Sequence, residues 1–373
     1  MPIYMDRHDL ESVTAKDVAE AHRADLKIQD KHQCKGLTYW FDEKRGTAFC
    51  LVEAPNADCV KRMHDDAHGL VPHQIIEVES NVVSAFLGRI EDPQSNKFLD
   101  DTNQPIIDEP AYRIIMYICL KNIIVLKSTI DNNTANEIIN SVRDTIQKSL
   151  NRYKGREVKK DRKRLIISFT SAASAVMCAL EIQNEVKPIL NKGIDSTFDI
   201  KMSLSAGSPV TGQNELFGET VQLAERLCEV ANQEQVVISS NVKEVYNNEI
   251  LDGLPKEIPA QTLSPNDENF INKLINTTET IWDDPQFDVG VFGKQVGLSR
   301  SQFYRKISSI TGLSPNDFIK EFRLKKALNL IEKQKGNVAQ IAFETGFNSP
   351  SYFSKCFQKR YGVLPSNLVS KIS

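Results

Sequence analysis

The 373-residue chain lacks several features that would restrict its class. No apolar run approaches the roughly 20 residues of a membrane helix, and residues 1–6 lack the basic and apolar regions of a signal peptide. The seven cysteines are odd in number and include no Cys-x-x-Cys pair, so they do not imply disulfides. We therefore expect a globular, cytoplasmic protein with no membrane partner, in which most cysteines are buried apolar residues.

A repeat is present near the carboxyl end. Residues 292–299 return in similar form as residues 341–348, about 49 positions later. In each copy a short helical stretch is followed by a glycine, an apolar residue and a residue that can cap a second helix, Ser299 in the first copy and Asn348 in the second. This order of residues is typical of two helices joined by a tight turn, so we predict two helix-turn-helix units.

The second helix of each unit has one apolar face and one polar face. Phe303 and Ile307 lie four residues apart, so they are expected to pin the first such helix to a core. Phe353 and Phe357 do the same in the second. Cations and hydroxyls on the opposite faces can reach DNA bases and phosphates. The predicted DNA-binding residues are Arg300, Ser301, Tyr304, Arg305, Ser351, Ser354 and Lys355.

Charge is distributed unevenly along the chain. Residues 289–373 carry a net charge of +10, whereas the whole chain carries −3 and the other 288 residues carry −13. A basic module on an acidic body indicates a phosphate-binding end.

Residues 315–334 predict one helix of about 28 Å between the two units. Because successive major-groove faces are roughly 34 Å apart, both recognition helices could enter adjacent grooves.

These motifs resemble the AraC/XylS-type transcription regulators over about 100 residues. The residues that carry the resemblance are Gly297, Leu298, Ser299, Phe303, Tyr304, Arg305, Gly312, Leu313, Ser314, Pro315, Arg323, Leu324, Lys325, Lys326, Ala327, Ile341, Ala342, Gly346, Phe347, Phe353 and Phe357. The resemblance implies a seven-helix, double helix-turn-helix domain that binds promoter DNA, with RNA polymerase as a partner. Pro350 departs from the family by opening the second recognition helix, where a polar residue more often touches bases.

The first 80 or so residues predict the order strand, helix, two strands, helix, strand, which is that of a ferredoxin-like unit. All six histidines of the chain lie within the first 73 residues. His64 and His68 are four apart on a predicted helix, so one transition metal could bind both rings. The predicted metal ligands are His8, His22, His64 and His68. The alternative is that His64 and His68 form an exposed helix face.

This segment also resembles a family of small ferredoxin-like proteins, some of which bind nickel, over about 80 residues. The motifs occupy residues 4–8, 21–25, 39–40, 49–55 and 64–70. The resemblance implies nickel as a cofactor, and it makes Asp25, Cys50 and Glu53 expected neighbours of the metal.

Residues 112–246 alternate predicted strands and helices, as an α/β sandwich does. They resemble the catalytic domain of class III nucleotide cyclases over about 130 residues, most specifically at residues 216–227. Those enzymes hold metal ions with carboxylates at two places. Here Leu120 and Lys121 stand at one place and Arg162 and Lys163 at the other, so we predict no catalysis. The family's dimeric assembly implies a homodimer through this domain.

The fold class expected from the sequence is therefore multidomain α+β. It comprises a ferredoxin-like domain (1–90), a linker (91–111), a degenerate cyclase-like domain (112–253), a second linker (254–269) and an all-α double helix-turn-helix domain (270–373). We interpret the chain as a DNA-binding transcription regulator, an activator responsive to metal or ligand. The alternative is a nucleotide cyclase with an atypical metal site fused to a DNA-binding domain, and it would form cyclic product from ATP or GTP with manganese.

Overall fold

The computed structural model describes residues 1–93, 106–191, 198–231, 236–249 and 257–372. The chain begins with a ferredoxin-like domain whose antiparallel sheet has the strand order β2-β3-β1-β4. Its elements are β1 (Ile3–Asp9), α1 (Ala15–Ile28), β2 (Lys35–Asp42), β3 (Thr47–Glu53), α2 (Ala57–His68) and β4 (Gln74–Val78). Both helices pack on one face of the sheet, around buried Val18, Val60 and Met63. The predicted order of elements is confirmed.

Local capping explains where these helices begin and end. Thr14 starts α1 with a capping box that it shares with Asp17. The Asn56 side chain accepts from the Cys59 backbone N–H and starts α2. Gly69 ends α2 at φ +76°, a conformation that favours glycine.

A helix that the sequence analysis did not predict, α3 (Ser80–Leu87), covers the other face of the sheet. Trp40 of β2 and Phe86 of α3 lie in one apolar core with Ile115 and Phe217 of the central domain. Arg113, which is 1% exposed, donates to backbone carbonyls on both sides of this junction, including those of residues 86, 87 and 110. The first two domains are therefore joined by a continuous core.

The central domain is built on a six-stranded sheet with the order β10-β9-β8-β5-β7-β6. Its elements are β5 (Arg113–Lys121), α4 (Ile123–Thr129), α5 (Asn132–Arg152), β6 (Arg156–Lys160), β7 (Arg164–Phe169), α6 (Ala172–Leu190), β8 (Asp199–Gly207), α7 (Gly218–Val230), β9 (Val236–Ile238), α8 (Ser240–Glu249) and β10 (Gln261–Thr262). Strand β5 pairs antiparallel with β7 and β8. Helices α5 and α6 contribute to the main core with the sheet. The predicted α/β sandwich is confirmed, and α4, β6, α8 and β10 are additions to it.

The described part of the C-terminal region contains seven helices, the number that the resemblance implied. They are α9 (Pro265–Ile281), α10 (Val289–Gln295), α11 (Arg300–Thr311), α12 (Pro315–Glu332), α13 (Val338–Glu344), α14 (Pro350–Tyr361) and α15 (Pro365–Ile372). Helix α9 begins inside the segment predicted as the second linker, because Ser264 and Asp267 form a capping box. Residues 94–105 of the first predicted linker and 250–256 at the second boundary lie outside the described residues.

The C-terminal domain packs directly on the central domain. Leu227 of α7 shares a core with Phe270 of α9 and Phe303 of α11. Val125 of α4 lies in the core of the second helix-turn-helix unit. Within the part of the chain that is described, no helix has the length and apolar character needed to cross a membrane.

Candidate nucleic-acid interface and metal cluster

The first helix-turn-helix unit is formed by α10 and α11. Gly297 makes the turn at φ +83°, and Ser299 caps α11 in a capping box with Gln302. Phe303 and Ile307 are both fully buried, so they fix α11 to its core as predicted. The polar face bearing Arg300, Ser301, Tyr304 and Arg305 is exposed.

The second unit, α13 and α14, repeats this arrangement with one difference from the sequence analysis. The residue that caps α14 is Ser349, whose side chain accepts from the Tyr352 backbone N–H, and not Asn348. Pro350 occupies the first helical turn, where its missing N–H costs no helical hydrogen bond. Ser351 and Lys355 are exposed, whereas Ser354 is half-buried. Tyr352, which the sequence analysis missed, is 56% exposed on the same helix.

Helix α12 joins the two units. Its Phe318 packs in the core with Phe303 of α11, and its Leu324 packs in the core with Phe353 of α14. The Arg323 guanidinium of α12 also donates to the backbone oxygens of Trp282 at 2.6 Å, Asp284 at 2.6 Å and Gly346 at 2.9 Å. The first two oxygens follow α9 and the third lies in the turn of the second unit, so Arg323 links the α9–α10 connection to that turn.

The cations of α11 differ in whether an ion pair within the protein already holds them. Lys306 contacts the Asp267 carboxylate of α9. Among the described residues, Arg300 and Arg305 have no ion-pair partner, so their charges are available to an anionic surface. This difference within one helix separates a structural lysine from candidate DNA contacts.

In the N-terminal domain three of the four predicted ligands, His8, His64 and His68, lie close together, with His64 in the middle. Its Nε2 lies 2.9 Å from Asp6 Oδ2, and its Nδ1 lies 3.1 Å from Asp25 and 3.3 Å from His68 Nε2. We define the inner site as Asp6, His8, Cys50 and His64, and the outer site as Asp25, His64 and His68. Within each site the ligand atoms lie within 4.8 Å of one another.

Both sites are buried and strongly polarised. Burial alone would raise the pKa of Asp6, but the adjacent His64 and His8 hold it well below its usual range. Burial alone would lower the pKa of His64, but Asp6 and Asp25 raise it to about 10. Burial raises the pKa of the Cys50 thiol. The expectation that His64 and His68 could form an exposed helix face is wrong, because their side chains are only 1% and 13% exposed.

Two expected members lie elsewhere. His22 is buried against Tyr39, with its Nε2 3.5 Å from Asp92 Oδ2, and it belongs to neither site. Glu53 pairs with the amino terminus at 3.2 Å. Asp6 lies within the motif at residues 4–8 but was not among the predicted ligands or their expected neighbours. Strand register reveals its role, because Asp6 lies opposite Cys50.

Of the four residues that the sequence analysis placed at the cyclase metal positions, Leu120, Lys121 and Lys163 line a cleft of about 660 Å³ facing α12, and Arg162 does not. The Asp161 carboxylate accepts from the backbone N–H groups of Lys163 and Arg164, both at 2.7 Å, and so closes the β6–β7 turn. Arg226 donates to the side chains of Asn272 and Asn276 on α9, both at 2.6 Å. Asp161 therefore stabilises the β6–β7 turn, and Arg226 links the central domain to α9 of the C-terminal domain.

Comparisons with known proteins agree with this division. Residues 4–78 match the family described as nickel responsive protein SCO4226-like, and residues 292–371 match a helix-turn-helix domain family. The two resemblances inferred from the sequence for these regions are therefore confirmed.

Individual relatives match only parts of the chain. It is 42% identical over 119 residues to histidine kinase P4 of Formosa agariphila, covering 32% of this chain and 8% of the relative. It is 32% identical over 97 residues to the HTH-type transcriptional regulator MtrA of Neisseria gonorrhoeae, covering 26% and 31%. The adenylyl cyclase CyaB of P. aeruginosa is similar in structure, with a TM-score of 0.33 and 16% identity over 38% of this chain and 82% of that one. The chain thus spans less than a third of the length of each of these two curated relatives.

Proposed function

We propose that this chain, with an SCO4226-like domain at one end and a helix-turn-helix domain at the other, regulates transcription by binding promoter DNA. The observation that carries the proposal is that one domain presents two exposed recognition faces, on α11 and α14, and that α12 packs in the cores of both helices. Its chemistry is binding alone. RNA polymerase is the expected partner at the promoter.

DNA affinity comes mainly from phosphate neutralisation by the basic end, and Arg305 supplies base discrimination. A selection from random oligonucleotides at moderate ionic strength identifies the cognate site. Arg305→Ala then weakens cognate binding by roughly 1–3 kcal/mol and binding to random DNA much less. Lys306→Ala is the matched control on the same helix, because Lys306 is held by Asp267 and should contribute little. Equal losses on cognate and random DNA for Arg305→Ala would contradict base reading.

The N-terminal domain supplies the response, through a transition metal bound by His8, His64 and His68 with Asp6, Asp25 and Cys50. Imidazole, carboxylate and thiolate ligands suit nickel, copper or zinc. By linkage, a metal that favours the DNA-bound state is itself bound more tightly in that state. Promoter titrations with and without nickel test this, and unchanged affinity at saturating nickel would remove the metal response.

A homodimer of this chain through the central domain would use a surface other than the α7 face that the C-terminal domain covers. The C-terminal domain packs on that face through Phe270 and Leu274. Sedimentation of the full chain with and without promoter DNA tests for dimers.

A further inference from the structure

His64 stands between the inner and outer sites and belongs to both. Its Nε2 points to Asp6 at 2.9 Å, and its Nδ1 points to Asp25 at 3.1 Å. A single imidazole ring therefore has each nitrogen facing a different carboxylate. Because both ring nitrogens can bind a metal once they have lost their protons, one side chain could serve two ions.

The outer site has the dimensions of a coordination shell. His64 Nδ1, His68 Nε2 and an Asp25 oxygen form a triangle with sides of 3.1 to 3.3 Å. Tetrahedral ligands with bonds of about 2.0–2.1 Å lie about 3.3 Å apart. His68 is 13% exposed, which leaves a path from solvent to this site.

The inner site brings two imidazole rings to one buried carboxylate. His8 is 5% exposed and its Nε2 lies 3.1 Å from Asp6 Oδ1. Its ring is 5.0 Å from that of His64, whose Nε2 lies 2.9 Å from Asp6 Oδ2. The Cys50 sulfur lies within 4.8 Å of the other ligand atoms of the site. Two imidazoles, a carboxylate and a thiol at these distances form a donor set that suits one transition-metal ion.

If metal ions displace the protons of Cys50 and His64, the charges of the two sites sum to the value that two divalent ions require. Asp6 and Asp25 each carry −1, and a Cys50 thiolate and a His64 imidazolate would each add −1. The total of −4 neutralises two dications, which favours burial of the whole assembly. In the metal-free protein, protons on the two nitrogens of His64 take the place of the ions between the carboxylates.

Building on the metal response proposed above, we propose that the N-terminal domain holds two transition-metal ions, one in each site, bridged by the imidazolate of His64. Each ion forms a bond to one ring nitrogen of His64, and the protons of the ring and of the Cys50 thiol leave to solvent. The ions lie about 6 Å apart, since two metal–nitrogen bonds of about 2 Å flank the ring.

Metal binding also changes an exposed loop. The Leu70 backbone N–H donates to His68 Nδ1 at 3.1 Å. A neutral imidazole cannot accept at Nδ1 and also present a lone pair to metal at Nε2, so an ion in the outer site breaks this hydrogen bond. Leu70 and Val71, which are 42% and 45% exposed, are then free to move.

Titration of the full chain with nickel chloride, followed by anomalous diffraction at the nickel edge, tests the proposal. We expect two ions per chain, with two anomalous peaks on opposite sides of the His64 ring. His68→Ala and Cys50→Ser should each reduce the stoichiometry from two to one, and His64→Ala should reduce it further. His32→Ala is the control, because His32 pairs with Asp66 outside both sites and should leave two ions.

A single ion in the wild-type protein, or two ions that do not flank His64, would overturn the bridged pair. Circular dichroism of each variant identifies any that fail to fold, and His68, at the rim of the outer site, is the side chain whose removal disturbs the core least. The outcome is separable from that of the proposed function. Nickel could change promoter affinity with one ion bound, which would leave the metal response intact, or two bridged ions could bind without changing it.

Discussion

Glu229 of α7 holds the C-terminal helix-turn-helix domain on the central domain, and its removal should loosen α12. Its carboxylate contacts Lys325 of α12 and lies 4.0 Å from the Lys121 ammonium at the end of β5. The side chains of Glu229 and Lys121 are 27% and 19% exposed. Burial alone would raise the pKa of Glu229, but Lys325 and Lys121 lower it to about 2. Glu229→Gln leaves two lysines facing each other without a counter-charge.

The size of the effect follows from the pKa shift. A fall from 4.5 to about 2 corresponds to about 3 kcal/mol at 1.36 kcal/mol per unit. Partial exposure screens the pair, so about 2 kcal/mol is expected. Because the pKa is lower in the folded state, this stabilisation is present above pH 4.5 and is lost as the pH falls toward 2.

Native-state hydrogen exchange of the α12 amides at neutral pH measures the opening. A loss of about 2 kcal/mol should speed exchange about 30-fold in Glu229→Gln. The control is Glu279→Gln, which removes a 2.8 Å ion pair with Lys326, the residue after Lys325 on α12. The side chains of Lys326 and Glu279 are 32% and 49% exposed. An exposed pair of this kind is worth about 0–1 kcal/mol. Unchanged exchange in Glu229→Gln, or equal acceleration in both variants, would refute the assignment of Glu229 as the contact that holds α12.

Two further predictions concern single residues of the fold. Gly297→Ala should lower the free energy of unfolding by about 1–2 kcal/mol, because Gly297 has φ +83° with open space around it. Gly346→Ala should lower it by roughly 1–3 kcal/mol more, because Gly346 has φ +73° and the new Cβ would also lie 2.9 Å from Arg323. Hydrogen exchange of the α11 amides in Gly297→Ala and of the α14 amides in Gly346→Ala measures the two costs, and equal costs would contradict the clash. Arg113→Met leaves buried carbonyls without a donor and should destabilise the junction of the first two domains by about 3–5 kcal/mol. Thermal melting followed by the fluorescence of buried Trp40 should show the loss, and an unchanged midpoint would mean that Arg113 is not needed there.

The repeat near the carboxyl end was sufficient to predict both helix-turn-helix units. Glycine turns, caps and apolar pairs four residues apart are local signals, and each is visible within about ten residues of sequence. The same locality explains the error at Asn348. Asn348 and Ser349 are neighbours with similar capping ability, and the cap lies three residues after the turn glycine in the second copy but two residues after it in the first.

The histidine cluster was only partly predictable. The i, i+4 spacing of His64 and His68 was enough to place both rings on one face of α2. His22 was included because it lies in the motif at residues 21–25, but in the structure its ring packs against Tyr39. Asp6 joined the cluster through strand pairing with β3, a contact 44 residues away in sequence.

The sequence by itself therefore determined the two helix-turn-helix units, the ferredoxin-like order of elements and the helix face shared by His64 and His68, because these depend on periodicity, caps and composition within short windows. Tertiary structure alone decided that His64 lies between two carboxylates, that Arg323 links the α9–α10 connection to the second unit, and that Glu229 meets Lys325. Those contacts join residues 23 to 96 positions apart. The physical reason is that burial and domain packing, not local propensity, bring such groups within ångströms of one another and set their charges.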